Sequence, residues 1–199
     1  MSSKKTSKTL KRCGWARDDL MIRYHDKEWG VPVISDRKQF EFLVLESAQA
    51  GLSWSCVLKK RENYRKAFAG FDPQKVARFA SKDVARLLKN EGLIRNRLKI
   101  ESAINNARRF LEIQKEFGSF INYVEAITGI KRKVNRRKTL RDLPAETAES
   151  QALSKDMKKR GFKFLGPTVL YSHLQAMGAV NDHLVSCYRY REINKLKRG

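Results

Sequence analysis

The sequence predicts an all-α fold, and three observations predict it. Apolar residues recur at helical spacing along most of the chain, capping residues and glycines punctuate those runs, and the alternation expected of a half-buried strand is missing throughout. A hydrophobic content of 41% over 199 residues supports one domain with a real core and excludes wholesale disorder.

Residues 1 to 11 are Ser, Thr and Lys with almost nothing apolar, which reads as a disordered basic arm. The single helical domain is expected over residues 12–190, followed by a basic tail over 191–199. From Asp36 the pattern turns helical, with Asp36 as a cap and Gln39 completing a capping box. Phe40, Leu43, Val44, Ser47 and Ala48 form one stripe before Gly51. Phe42 and Leu45 lie off that stripe, so this helix is apolar nearly all round and expected to be buried.

Asp72 followed by Pro73 marks another start, and Ser81 offers a cap before Val84, Leu87 and Leu88, a run that Gly92 ends. Leu98, Ile100, Ile104, Ala107 and Leu111 describe a long amphipathic helix up to Gly118, and residues 120–127 continue in the same style. Residues 130–149 combine a basic cluster with a proline and read as a long exposed connection between two helical lobes. Beyond it come helical patterns over 151–160 and 169–177, with Gly178 as a stop, and a short helix from Asp182 towards Tyr188.

Lys and Arg number 43 against 21 Asp and Glu, a net charge of +22. So large an excess points to a polyanionic partner, and nucleic acid fits the basic footprint better than an anionic membrane surface. No stretch approaches the roughly 20 apolar residues of a membrane span, and the first residues have no apolar core of a signal peptide. The chain is therefore expected to be cytoplasmic. Three cysteines cannot all pair, which leaves metal binding, catalysis or burial as their uses.

Cys13 and His25 lie near one end of the chain, His183 and Cys187 near the other. On a helix the spacing of the latter pair places both side chains on one face, where they can share a tetrahedral ion. Four ligands of this kind leave no open coordination position, so such a site would be structural. The Cys13 to His25 spacing is too long for a zinc-finger loop, and a buried Cys187, an exposed Cys13 and two unrelated histidines is the plainer alternative. Cys56 reads as a small core residue.

Glu46 sits mid-helix between Phe42, Leu43, Leu45 and Gln49, where a carboxylate is costly to bury unless a donor or cation meets it. Trp54 follows the turn AGLS and offers a flat stacking wall, and Tyr24 adds an aromatic with a hydroxyl. Either aromatic alone reads as core packing.

The segments RCGW, YHDKEWG, LESAQAGLSW, VLKKRENYRKAF, LSKDMKKRGFKFLG and NDHLVSC together resemble the DNA-3-methyladenine glycosylase I family, in the family's order, from about Arg12 to about Tyr188. That resemblance implies a helix-hairpin-helix glycosylase fold and a structural zinc ion on Cys13, His25, His183 and Cys187. It implies a base pocket with Glu46, Trp54 and Tyr24, and a substrate of alkylated double-stranded DNA from which a monomer excises 3-methyladenine. GFKFLG, with Gly161, Lys163 and Gly166, is similar to the superfamily's hairpin, whose glycines let backbone N–H groups approach a phosphate.

One feature departs from the superfamily's pattern, at an aspartate that the family itself is understood to lack, so that no strong dedicated base is expected, and two depart from the family's. Asn181 stands where the superfamily usually has its aspartate, with Asp182 one place off as an outside candidate for a base. Met21 stands where an aromatic often lines the pocket, and the Cys13 to His25 segment is one residue short. Met21 and the shortened segment motivate a competing expectation, a zinc-stabilised DNA- or RNA-binding module without catalysis.

Overall fold

A computed structural model describes residues 10–196, so the basic arm lies outside the described residues except for its last two positions, and the last three residues of the chain lie outside them too. Serine, threonine, asparagine and aspartate start most helices by accepting a backbone N–H of the first turn. Asp18 caps α1 (Asp19–Lys27), Ser35 caps α2 (Asp36–Gln49), and Ser53 caps α3 (Trp54–Ala67). Asp72 caps the short α4 (Pro73–Val76). Then follow α5 (Ser81–Lys89), α6 (Arg97–Phe117), closed by Gly118, and α7 (Phe120–Thr128). Late in the chain stand α8 (Ala148–Lys159), α9 (Pro167–Ala176) and α10 (Tyr188–Lys195).

Several boundaries differ from expectation. Ser35, not Asp36, caps α2, because its hydroxyl reaches the Lys38 N–H. The Asp36 carboxylate instead accepts the first N–H of α7 at 3.0 Å and the Gln114 side chain at 2.6 Å. Gln39 donates to the Val33 carbonyl. Leu98 is exposed, and the buried stripe of α6 runs through Ile100, Ile104, Ala107, Phe110 and Ile113. The basic tail expected from residue 191 begins inside α10, whose Ile193 is buried. No helix forms from Asp182 towards Tyr188, since Cys187 is the cap of α10 and the preceding residues turn.

The basic connection carries a strand, β1 (Lys133–Val134), parallel to β2 (Val180–Asn181). Two residues are too few to show alternation, and the partner lies far along the chain.

α2 is the central helix, buried on all sides from Gln39 to Ala48 and packed by α3, α6, α7 and α9. Phe110 and Phe120 stack at 4.6 Å between ring centroids within the main core, which crosses the 130–149 connection to include Leu153, Met157 and Leu170. A second apolar cluster gathers Cys13, Tyr24, Trp29, Phe42, Leu58, Leu184 and Cys187 from both ends of the chain. Gly178 makes this meeting possible: its φ is +74°, and a Cβ there would stand 2.6 Å from backbone atoms of Val31 and Pro32.

Candidate base pocket and metal centre

The N-terminal segment, α1, α2, α3 and α9 enclose a cavity of about 250 Å³. Glu46 from α2, Tyr24 from α1 and Trp54 from α3 all line it, with Trp15, Met21 and Trp29 completing an aromatic and apolar wall. Tyr24 and Trp54 meet at 5.3 Å between centroids with a 60° tilt, so no planar ring fits between them. At this size the cavity suits a single base rather than a drug-sized molecule, for which roughly 300–1,000 Å³ is usual.

Trp54 is aimed by the turn before it. α2 ends at Ala50, Gly51 takes a φ of +78°, and Trp54 is the first residue of the next helix. Lys99 of α6 holds the turn by donating to the carbonyls of Ala48 and Ala50.

Glu46 is buried, and its Oε2 lies 2.9 Å from Nδ1 of His173 on α9. Its Oε1 makes no hydrogen bond and remains an open acceptor. Burial pushes the Glu46 carboxyl above its ordinary range, with the charge and hydrogen bond of His173 opposing. Burial, reinforced by the Glu46 charge, holds Tyr24 well above an ordinary phenol, so its hydroxyl stays neutral.

Sequence reasoning did not single out His173, Ser172 or Gln175, which α9 brings to the pocket or its carboxylate. A signal existed: a histidine one residue before Leu174 on an otherwise apolar helix, with polar neighbours at the spacing of one helical turn. Asp182, the outside candidate for a base, is buried and accepts from the side chains of Tyr171, Gln175, Asn135 and Arg137. Four donors thus engage this carboxylate within the protein, and it is not among the residues lining the cavity. Its contact with Gln175 Nε2 at 2.8 Å fixes which end of that amide turns away, namely the oxygen.

Behind the pocket, Arg61 of α3 grips Glu28 at 2.7 and 2.6 Å and Glu41 at 2.8 Å, and Lys38 bridges the same two carboxylates. Burial alone would raise Glu28, but these cations outweigh it and hold the carboxyl down to about 2.

Beside the pocket, the ligating atoms of Cys13, His25, His183 and Cys187 lie within 4.8 Å of one another, all four residues buried. Cys187 Sγ is 3.4 Å from His25 Nε2 and 3.7 Å from His183 Nδ1, and Cys13 Sγ is 3.8 Å from His183 Nδ1. The remote nitrogens are engaged too: His25 Nδ1 meets Asp26 at 2.7 Å, and His183 Nε2 meets the Trp29 carbonyl at 3.0 Å. Those partners accept, which turns the lone pairs of the inner nitrogens into the cluster, where His25 Nε2 also meets the Cys13 N–H at 3.4 Å. Arg12 in turn grips Asp26 in two contacts near 3 Å. The cluster forms through turns rather than on one helix face as expected, because the Cys187 N–H bonds to the Leu184 carbonyl and coils the segment.

Residues 160–166 join α8 to α9. Gly161 has a φ of +87°, and Phe162 and Leu165 are buried beneath the turn. Lys163 is exposed, yet its N–H and carbonyl are both taken by the Asn106 side chain of α6. Among the described residues the N–H groups of Phe164, Leu165 and Gly166 make no hydrogen bond, so the open donors lie later in the turn than the Gly161 to Lys163 stretch.

The almost wholly helical fold thus sets a small aromatic cavity, lined by the buried carboxylate of Glu46, beside a Cys/His cluster. The family model for methyladenine glycosylase matches residues 14–190. The chain is 50% identical over 182 residues to DNA-3-methyladenine glycosylase 1 of Escherichia coli strain K12, covering 91% of this chain and 97% of the relative. A crystal structure of 3-methyladenine DNA glycosylase I superposes with a TM-score of 0.86 at 48% identity, covering 89% of this chain and 98% of that one. A tyrosine-to-phenylalanine variant of such an enzyme, in complex with 3-methyladenine, superposes at 0.85 with 36% identity, over 89% of this chain and 96% of that one. This chain belongs to the methyladenine glycosylase family.

Proposed function

We infer that this protein excises 3-methyladenine from alkylated duplex DNA by hydrolysing the N-glycosidic bond and leaving an abasic site. The observation that carries the reading is the single cavity shared by Glu46, Trp54 and Tyr24. A base inside a duplex cannot reach such a cavity, so the nucleotide is flipped out of the stack.

Methylation at N3 leaves the attached adenine cationic and its bond to C1′ already weak. The protein therefore has mainly to select and hold the base. Trp54 stacks on the electron-poor ring, a cation–π attraction of about 1–2 kcal/mol. The Glu46 carboxylate accepts from the base's amino edge through Oε1, and its charge favours the cation over neutral adenine. Tyr24 orients the ring. As the C1′–N9 bond breaks, its electron pair goes to N9 and cancels the base's charge, water adds to C1′, and the water's proton leaves to solvent. Among the described residues no lysine lines the cavity, which agrees with simple hydrolysis and no covalent intermediate.

The Cys/His cluster suits zinc: two thiols and two imidazoles with held remote nitrogens, all ligating atoms within 4.8 Å and three of the spacings, 3.4, 3.7 and 3.8 Å, close to the about 3.3–3.8 Å edges of a zinc tetrahedron. Four protein ligands fill the coordination shell, so the ion would fasten the chain's two ends and support folding. The turn between α8 and α9 serves as the hairpin, offering the N–H groups of Phe164 to Gly166 and the charge of Lys163 to a phosphate. The working unit is residues 12–190 with the remainder of α10, acting as a monomer on DNA in the bacterial cytoplasm. Among the described residues no helix is long and apolar enough to cross a membrane.

The test is release of free 3-methyladenine from methylated duplex DNA by the parent protein and by Glu46→Gln. Release by the parent and a loss of about a hundredfold in the variant are expected. DNA binding without any release would favour the non-catalytic binding module instead.

A further inference from the structure

The connection between α7 and α8 holds seven cations between residues 131 and 141. Three are engaged within the protein. Arg132 donates to the carbonyls of Ile193 and Leu196, Lys133 pairs with Glu149 at 2.6 Å, and Arg137 meets Asp182 at 3.3 Å. The other four, Lys131, Arg136, Lys138 and Arg141, are exposed, and among the described residues their side chains have no ion pair or hydrogen bond. Elsewhere on the surface, arginines sit one helical turn from a glutamate, as Arg97 does with Glu101 and Arg109 with Glu112. Here Asp142 is the local acid, and it is occupied by the N–H groups of Lys138 and Thr139.

This is not a loose loop. The Lys133 N–H bonds to the Ala179 carbonyl at 2.7 Å, Asn135 to the Asn181 carbonyl at 3.1 Å, and the Arg137 carbonyl accepts from Val185 at 2.9 Å. Four unneutralised charges thus ride on a segment fastened to the turn that bears His183. Two residues after Arg141, Leu143 lines the base cavity, so the Arg141 end of the segment stands beside the cavity's rim. α9 reaches the same cavity with Ser172 and Gln175 and is preceded by the 160–166 turn.

We propose that Lys131, Arg136, Lys138 and Arg141 form a second contact with the phosphate backbone of duplex DNA, running along the α7–α8 connection from its Arg141 end beside the cavity and apart from the α8–α9 turn. Like charges held close together repel, and a polyanion with regularly spaced phosphates relieves that repulsion while releasing counterions. The proposal rests on the glycosylase reading of the cavity, which fixes DNA as the polyanion.

The experiment measures affinity for an undamaged duplex across a salt series, for the parent and for the K131Q/R136Q/K138Q/R141Q variant. Each lost phosphate contact makes the slope of log K against log salt shallower by about 0.9, so up to about 3.6 is expected for four. A change of about one or more supports the contact, and a smaller change overturns it. The charge-keeping variant R136K/R141K should retain the parent's slope; a slope as shallow as that of the fourfold variant would overturn a phosphate role. Base release by the parent, assayed in parallel, tests the glycosylase reading separately, since duplex binding is read without any excision.

Discussion

His173 Nδ1 stands 2.9 Å from Glu46 Oε2, joining α9 to α2 across the buried floor of the cavity. The contact leaves Glu46 one free oxygen and offsets part of the burial that favours its neutral form. Replacing His173 with leucine removes that offset, so the Glu46 pKa rises further. Base release should drop about tenfold near neutral pH and recover as pH increases, which a pH–rate profile will show. His173→Gln, which retains an N–H donor, should lie between the two. A profile displaced by neither change would deny His173 its positioning role.

The parent should show the same dependence at lower pH. Glu46 is needed as the anion, and its pKa lies above the ordinary 4.5, so binding of the cationic base is full above that raised value and fades as pH falls through it. Single-turnover release from methylated duplex DNA, whose attached base keeps its charge, measured from neutral to acid pH checks this. In Glu46→Gln the dependence should disappear.

Cys187→Ser removes one of four clustered ligands. Zinc content should fall, and Tm should drop by roughly 5–10 °C, about 2–3 kcal/mol for a domain of this size. Metal analysis and thermal melting measure both. Protein that stays folded should retain turnover, because the cluster lies beside the cavity and not in its wall.

Arg61→Ala strips the shared cation from Glu28 and Glu41 and should cost about 3 kcal/mol at neutral pH. The folded-state pKa of Glu28, about 2, is below its ordinary 4.5, so the pair's stabilisation is complete above 4.5 and is lost as pH falls towards 2. The variant should therefore lose less stability on acidification than the parent. Denaturant unfolding at neutral and acid pH gives both numbers.

Gly178→Ala should be among the most damaging single changes, by about 3 kcal/mol or more. Its φ is positive, and the added methyl meets the backbone of Val31 and Pro32 at 2.6 Å, which no rotamer relieves. Denaturant unfolding checks it, with Gly129→Ala, where nothing lies within 4 Å, as the milder comparison.

Local and periodic features were legible in the order of residues. The helices announced themselves because a 3.6-residue stripe and a capping side chain act within a few positions: Asp72 before Pro73 and Gly118 after α6 stand where their chemistry requires. Glu46 and Trp54 stood out because a mid-helix carboxylate among apolar residues and an indole after a tight turn are local anomalies.

Tertiary structure alone decided what depends on distance in space. His173 is 127 residues from Glu46, β1 pairs with a strand more than 40 residues on, and Asp36 accepts the first N–H of α7, 84 residues away, instead of capping its own helix. His183 and Cys187 come together through a turn that their helical spacing did not foretell. In each case the partner is selected by packing geometry and by the cost of leaving a buried polar group unpaired, and neither acts through the order of residues along the chain.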